Sequence, residues 1–160
     1  MMKGICLRYA SDVQEAEDIL QDSFIKAFNK LETYSGKGAL GGWLRRITVN
    51  TALEYYRKNK IKYADPDIND KEIQLLKVDD HIIENLELED LVKKIQQLPA
   101  GYRNVFNLYA IEGYTHKEIG ELLGINTGTS KSQFSKARFL LQKLINQDNE
   151  AVKQNLNYVG

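Results

Sequence analysis

The 160-residue chain has little of what interrupts, cross-links or metallates a fold. It contains one cysteine (Cys6), two histidines (His81, His116) and two prolines (Pro66, Pro99). A lone cysteine excludes a disulfide framework. Two histidines with no cysteine partners give no metal-ligand spacing, so no metal or cofactor is expected. No apolar run approaches the roughly 20 residues of a membrane span, and no membrane insertion is expected. The opening MMKGICLRYA is too short and too polar for a secretory signal. These absences point to a cytoplasmic protein. No stretch alternates at the strand period of two, so no strand-fed phosphate loop is available to an enzyme. Asp79-Asp80-His81 reads as composition rather than chemistry.

A net charge of one sign is also missing: 22 Lys/Arg stand against 22 Asp/Glu. The average hides a pattern. Residues 1–62 carry 11 basic and 7 acidic side chains, a net of +4. Residues 63–98 carry 4 and 10, a net of −6, and residues 99–147 carry 6 and 3, a net of +3. Two basic blocks flank an acidic one, so the neutral total does not argue against nucleic acid.

The apolar periodicity is helical almost throughout. Ser11-Asp12-Val13-Gln14 reads as a capping box. It opens a helix of about 12–32 whose apolar positions are Val13, Ala16, Ile19, Leu20, Phe24, Ala27, Phe28 and Leu31. A glycine-rich break, 35–42, precedes a second helix of about 43–60 with Leu44, Ile47 and Thr51 inward. Residues 61–83 read as an acidic linker. A helix over 84–98 carries Leu88, Leu91, Val92, Ile95 and Leu98. Pro99 stops it and opens the next, over 99–112, which Gly113 ends. Thr115-His116-Lys117-Glu118 is a second capping box, starting a helix of 115–123. The last helix runs about 127–146, and the polar tail after it is expected to fray.

Thr115 to Arg138 has the layout of a helix-turn-helix: short helix, glycine turn, longer helix. Gly120 is small where a close approach is needed, and Gly124 supplies the turn. Ile119, Leu123 and Ile125 form the wedge. On the last helix Phe134, Ala137, Leu141 and Leu144 face inward, leaving Lys131, Ser132, Ser135, Lys136 and Arg138 outward. Four basic residues and no acidic one lie between Gly128 and Ile145. Such a face suits a major groove, though a solvated basic face would look similar. In the first basic block Arg46, Asn50 and Arg57 share a stripe that Trp43 begins, with Tyr34 just before it. Aromatics beside Arg and Asn suit an unstacked base, although a lone Trp is more often core. The preceding helix bears an acidic patch of Glu15, Glu17, Asp18, Gln21 and Asp22. It reads either as favourable first-turn charge or as a protein-docking surface.

In this order the motifs resemble the extracytoplasmic-function (ECF) group of bacterial sigma factors. Glu15 to Phe24 with Trp43 to Ala52 is similar to the family's region two. Leu98 to Phe106, Tyr114 to Ile119 and Leu123 to Arg138 are similar to region four. The resemblance implies an all-α fold: two small helical domains, a region-two bundle and a region-four helix-turn-helix, joined by an acidic linker. The expected boundaries are 1–62, 63–83 and 84–147, with a polar tail at 148–160. It implies that Asp18, Gln21, Asp22 and Lys26 bind the clamp helices of core RNA polymerase. Tyr34, Trp43, Arg46, Asn50 and Arg57 would bind the −10 region of promoter DNA, with a flipped base near Tyr34 and Asn50. Lys131, Ser132, Ser135 and Lys136 would read the −35 element, with Thr129 and Arg138 nearer phosphates. Region four would bind the polymerase flap, the linker would thread the polymerase channel, and an anti-sigma factor is an expected partner. No small-molecule substrate is implied.

Three departures from the family stand out. The family has a further helix before the stretch that begins here at Met1, so region two is expected to be N-terminally incomplete. The loop from Gly38 to Gly42 replaces an aromatic-plus-acidic version. Ser130 stands where an apolar residue anchors the recognition helix, so inward packing is expected to be weaker there, with Phe134 compensating. The main rival is a helix-turn-helix regulator acting without core polymerase; it predicts a stable dimer and tight operator binding. An interaction protein that binds polymerase without promoter activity is a further one.

Overall fold

The computed structural model describes residues 1–59 and 87–158, and among these only helices occur as regular structure. The described residues form seven α-helices: α1 (Met2–Tyr9), α2 (Val13–Asn29), α3 (Leu40–Asn59), α4 (Leu88–Gln96), α5 (Ala100–Phe106), α6 (His116–Leu123) and α7 (Thr127–Tyr158). The acidic linker expected over 63–83 lies outside the described residues.

Helix α1 was not expected from the sequence, yet its signal is there. Met2, Ile5, Cys6 and Tyr9 recur at three- and four-residue steps, and all are buried. The cap of α2 lies one residue later than the sequence suggests. Asp12, not Ser11, accepts the Glu15 N–H at 2.8 Å, and Glu15 rather than Gln14 reaches back to the Ser11 N–H at 2.7 Å. The acid wins because an ionised carboxylate is the stronger acceptor of a free backbone donor.

The buried stripe of α2 is narrower than its apolar residues suggested. Ala16, Ile19, Ser23 and Ala27 face inward, whereas Val13, Phe24, Phe28 and Leu31 are exposed. Three of the four inward residues are small, which lets α1 and α3 pack close to α2. Ser23 is tolerated there because its hydroxyl donates to the Ile19 carbonyl at 2.6 Å. A turn of 3₁₀ helix, Leu31–Thr33, finishes α2. Helix α3 begins at Leu40, inside the expected glycine break, and buries Thr48, Val49, Thr51, Ala52 and Leu53. Leu44 and Ile47, expected inward, are only half-buried.

In the second half Pro99 caps α5, its carbonyl accepting from Arg103 N at 2.9 Å. A turn of π-helix, Asn107–Ile111, continues α5 and leads to Gly113 at φ +79°. Helix α7 extends past its expected end to Tyr158. An ion pair from the buried Lys94 of α4 to Asp148 ties this extension to the domain.

Two cores result. One lies within the second half and joins Ile95, Leu98, Tyr102, Phe106, Ala137 and Leu141. The other is shared between the halves. Ile5, Cys6, Ile19 and Leu53 from the first pack with Val105, Leu108, Ile119 and Leu123 from the second. Burial of such side chains stabilises by roughly 1.5–3 kcal/mol each, so the seam is a substantial contact. Polar groups reinforce it. Asn107 Nδ2 donates to the Arg8 carbonyl at 2.8 Å, and the buried Arg103 donates to the Ala10 carbonyl.

Candidate nucleic-acid interface

The helix-turn-helix is built as its residue types require. Thr115 and Glu118 form a complete capping box: Glu118 N donates to Thr115 Oγ1 at 3.3 Å, and Thr115 N donates to Glu118 Oε2 at 2.8 Å. The Thr115 N–H and, at 2.7 Å, the Thr115 hydroxyl both donate to Glu118 Oε2 and hold that carboxyl below the usual carboxylate range. Gly124 closes α6 at φ +67°, in the left-handed region that glycine enters without strain. Gly120 is required by the turn itself, since a Cβ there would sit 2.6 Å from the Ile125 carbonyl oxygen. Asn126 starts α7, its side chain accepting from Thr129 N at 2.7 Å.

Helix α7 buries Ala137 and Leu141 as expected, and also Phe139, Gln142 and Ile145; Phe134 and Leu144 are half-buried. Lys131, Ser132 and Ser135 are exposed, while Thr129, Lys136 and Arg138 are half-buried. The Arg138 guanidinium lies 5.8 Å from the Phe134 ring centre. One end of this helix thus presents a hydroxyl-and-lysine face backed by a packed face.

Sequence reasoning missed what anchors this end. Ser130 is fully buried rather than weakly packed, and its Oγ lies 2.9 Å from His116 Nδ1. The His116 ring stacks on Tyr109, centroids 4.3 Å apart and planes 12° from parallel. It also meets Phe134 edge-on at 5.9 Å. Burial first, and the Lys131 charge second, lower the His116 pKa from its ordinary 6.5. The available signal was the polar residue in an inward slot of the recognition helix.

On α3, Arg46, Asn50 and Arg57 are exposed together on one stripe, and Arg57 Nε donates to the Leu53 carbonyl at 3.2 Å. Trp43 is half-buried against Tyr34, ring centres 5.3 Å apart. Tyr34 is held by its hydroxyl, which donates to the Gly38 carbonyl at 2.7 Å. The glycine loop therefore positions an aromatic pair at the head of the basic stripe. A cleft between α3 and the second half is lined by Gly42, Arg45, Arg46, Val49, Glu112 and Tyr114. Tyr34 and Asn50, expected to share a base pocket, do not line this cleft.

On α2, Asp18 and Gln21 are exposed. Asp22 accepts from the Tyr55 hydroxyl at 2.9 Å. Burial and then this bond push the Tyr55 phenol up to about 12, so it stays a donor. Lys26 pairs with Glu54 at 2.5 Å. Two of the four residues expected to dock a protein therefore also tie α2 to α3. Sequence reasoning further missed Glu112. Its carboxylate, 4% exposed, takes Arg8 at 3.0 Å and Arg45 at 2.5 Å, and Arg45 also donates to the Ile111 carbonyl at 3.3 Å.

A capped helix-turn-helix with a basic face on its second helix, and a separate basic stripe headed by aromatics, have the features of a DNA-binding protein. The comparisons with known proteins specify it. The family Sigma-70 region 2 matches residues 1–61, and Sigma-70, region 4 matches residues 88–141. The ECF RNA polymerase sigma factor SigW of Bacillus subtilis is 32% identical, over 87% of this chain and 80% of its own. The ECF RNA polymerase sigma-E factor of Haemophilus influenzae is 30% identical, over 89% and 80%. Among solved structures, the sigma factor RpoE of Bartonella quintana, in complex with the anti-sigma factor NepR, has a TM-score of 0.54 at 26% identity, covering 91% of this chain and 89% of that one. The chain belongs to the ECF group of the sigma-70 family of RNA polymerase sigma factors.

Proposed function

We propose that this chain binds core RNA polymerase in the cytoplasm, places it on a two-element promoter and helps open the DNA, with no enzymatic activity of its own. The single observation that carries the reading is the face of α7. Lys131, Ser132 and Ser135 are exposed beside Thr129, Lys136 and Arg138, on a helix whose opposite side is packed. Phosphate contacts from the cations position the complex, and hydroxyls and amines near base edges choose the sequence. The stripe of Arg46, Asn50 and Arg57, with Tyr34 and Trp43 at its head, offers cations to phosphates and π-faces to unstacked bases. Capturing such bases favours melting through binding energy alone.

Asp18 and Gln21, exposed on α2, with Asp22 and Lys26 beside them, supply the docking surface for the polymerase clamp helices. Region four meets the flap. Residues 1–62 and 84–147 act as two modules, and the acidic 63–83 threads the polymerase channel between them. A protein inhibitor of the anti-sigma kind is a partner of the free chain, a reading supported by the RpoE–NepR complex.

The test is run-off transcription with core polymerase from the source organism and fragmented genomic DNA. Defined start sites sharing −35 and −10 elements, absent without the protein, are expected. Tight binding to duplex DNA with no binding to core would overturn the reading in favour of a stand-alone regulator.

A further inference from the structure

Ser130 occupies an inward position on the recognition helix, and its hydroxyl is fully buried. A buried hydroxyl without a partner costs more than a made hydrogen bond contributes, so such a serine implies a dedicated partner. That partner is His116, 2.9 Å away. His116 is the first residue of α6 and follows directly on the Thr115–Glu118 capping box, which fixes its backbone. Its ring is fixed in turn by the stack on Tyr109 and the edge contact with Phe134. The imidazole therefore has one position, and it dictates where Ser130 sits. Ser130 is flanked by Thr129 and Lys131, with Ser132 next, so any shift of Ser130 moves the side chains proposed to meet −35 DNA.

We propose that His116 and Ser130 are a positioning couple: their hydrogen bond locks the start of the recognition helix against α6 and thereby sets −35 recognition. The couple rests on the reading of α7 as the −35 reader. Neither residue needs to touch DNA. The site has two low-energy solutions, both residues polar or both apolar, and a mixed pair is penalised because it leaves either the fully buried Ser130 hydroxyl or the half-buried, ring-packed His116 nitrogen without its partner.

The experiment uses the full chain with core polymerase on two templates: a complete promoter, and a pre-melted fork that carries only the −10 region. The variants are His116→Phe, Ser130→Val and the two together. Each single change is expected to lower transcription from the complete promoter roughly five- to tenfold while changing the fork less than about twofold. The double variant is expected to return to within about twofold of wild type on the complete promoter, because no polar group is left stranded. Ser130→Ala adds no bulk and guards against misfolding; it is expected to show the same −35-specific loss. Single variants at wild-type level on the complete promoter overturn the couple. So does a double variant as poor as the product of the singles, or an equal loss on both templates. Lys131→Ala, run alongside, reports separately on α7: its indifference on the complete promoter would sink the −35 assignment whatever the couple does.

Discussion

Glu112 Oε2 accepts a hydrogen bond from Arg45 Nε at 2.5 Å, and this contact joins helix α3, which bears the basic stripe, to the foot of the helix-turn-helix half. The other carboxylate oxygen takes Arg8 of α1 at 3.0 Å. One buried acid thus serves two cations from the opposite half. Arg45 is 43% exposed and keeps much of its hydration, whereas Arg8 is 15% exposed and depends more on its partner. Substituting Glu112→Gln keeps the shape and removes the charge. It is expected to lower stability by about 1–3 kcal/mol, with the larger share from stranding Arg8. Denaturant unfolding of wild type and variant measures this, and equal midpoints would show that the ion triad contributes nothing.

Cys6 reports on the same seam. It is fully buried in the core shared by the two halves, and that burial pushes its thiol up to about 11. A protonated, inaccessible thiol reacts slowly. Labelling by an aromatic disulfide reagent at neutral pH is expected to be slow in the wild type and to accelerate in Glu112→Gln. Rapid labelling of the wild type would contradict a closed seam.

Gly120→Ala places a methyl group 2.6 Å from the Ile125 carbonyl, a backbone atom that cannot rotate away. Opening the turn to admit it is expected to cost about 1–3 kcal/mol. The thermal midpoint should fall, and −35-dependent transcription should fall with it. A variant as stable as wild type would mean the turn relaxes freely.

The two faces proposed to meet DNA are expected to fail differently. Lys136→Ala should weaken promoter-directed transcription while core binding in a pull-down is retained. Asn50→Ala should slow promoter opening more than closed-complex formation. A permanganate footprint of melted thymines identical to wild type would remove Asn50 from the opening step.

His116 gives a pH dependence whose sign follows from its depressed pKa. The folded state resists the proton more than the unfolded chain does. The stability this confers is complete above the ordinary imidazole value of 6.5 and is lost as pH falls below it, toward the lower folded value. Unfolding free energies measured from pH 7.5 down to about pH 5.5, a window around the free imidazole value, should decline in the wild type. The decline should be shallower in the His116→Phe/Ser130→Val double variant. Parallel curves would mean that His116 does not titrate differently in the two states.

Much of this protein follows from local rules that act on near neighbours in the chain. The Thr115–Glu118 capping box, the left-handed Gly124, Pro99 at a helix start and the basic face of α7 were all legible, because each depends on residues within a turn or two. The same locality made the family resemblance legible through Glu15 to Phe24, Trp43 to Ala52 and the helix-turn-helix. What tertiary structure decided was which of several apolar or polar residues found a distant partner. Phe24 and Phe28 stand on α2 as plausibly as Ala16 and Ala27, yet only the small residues let α1 and α3 come close. Ser130 looked like a weak anchor because its partner, His116, lies 14 positions away across the glycine turn. Glu112 gave no signal in the sequence because Arg8 and Arg45 lie 104 and 67 residues away. Periodicity proposes which face of a helix turns inward, but which of its apolar residues is buried and which charge finds a partner are decided by the packed chain.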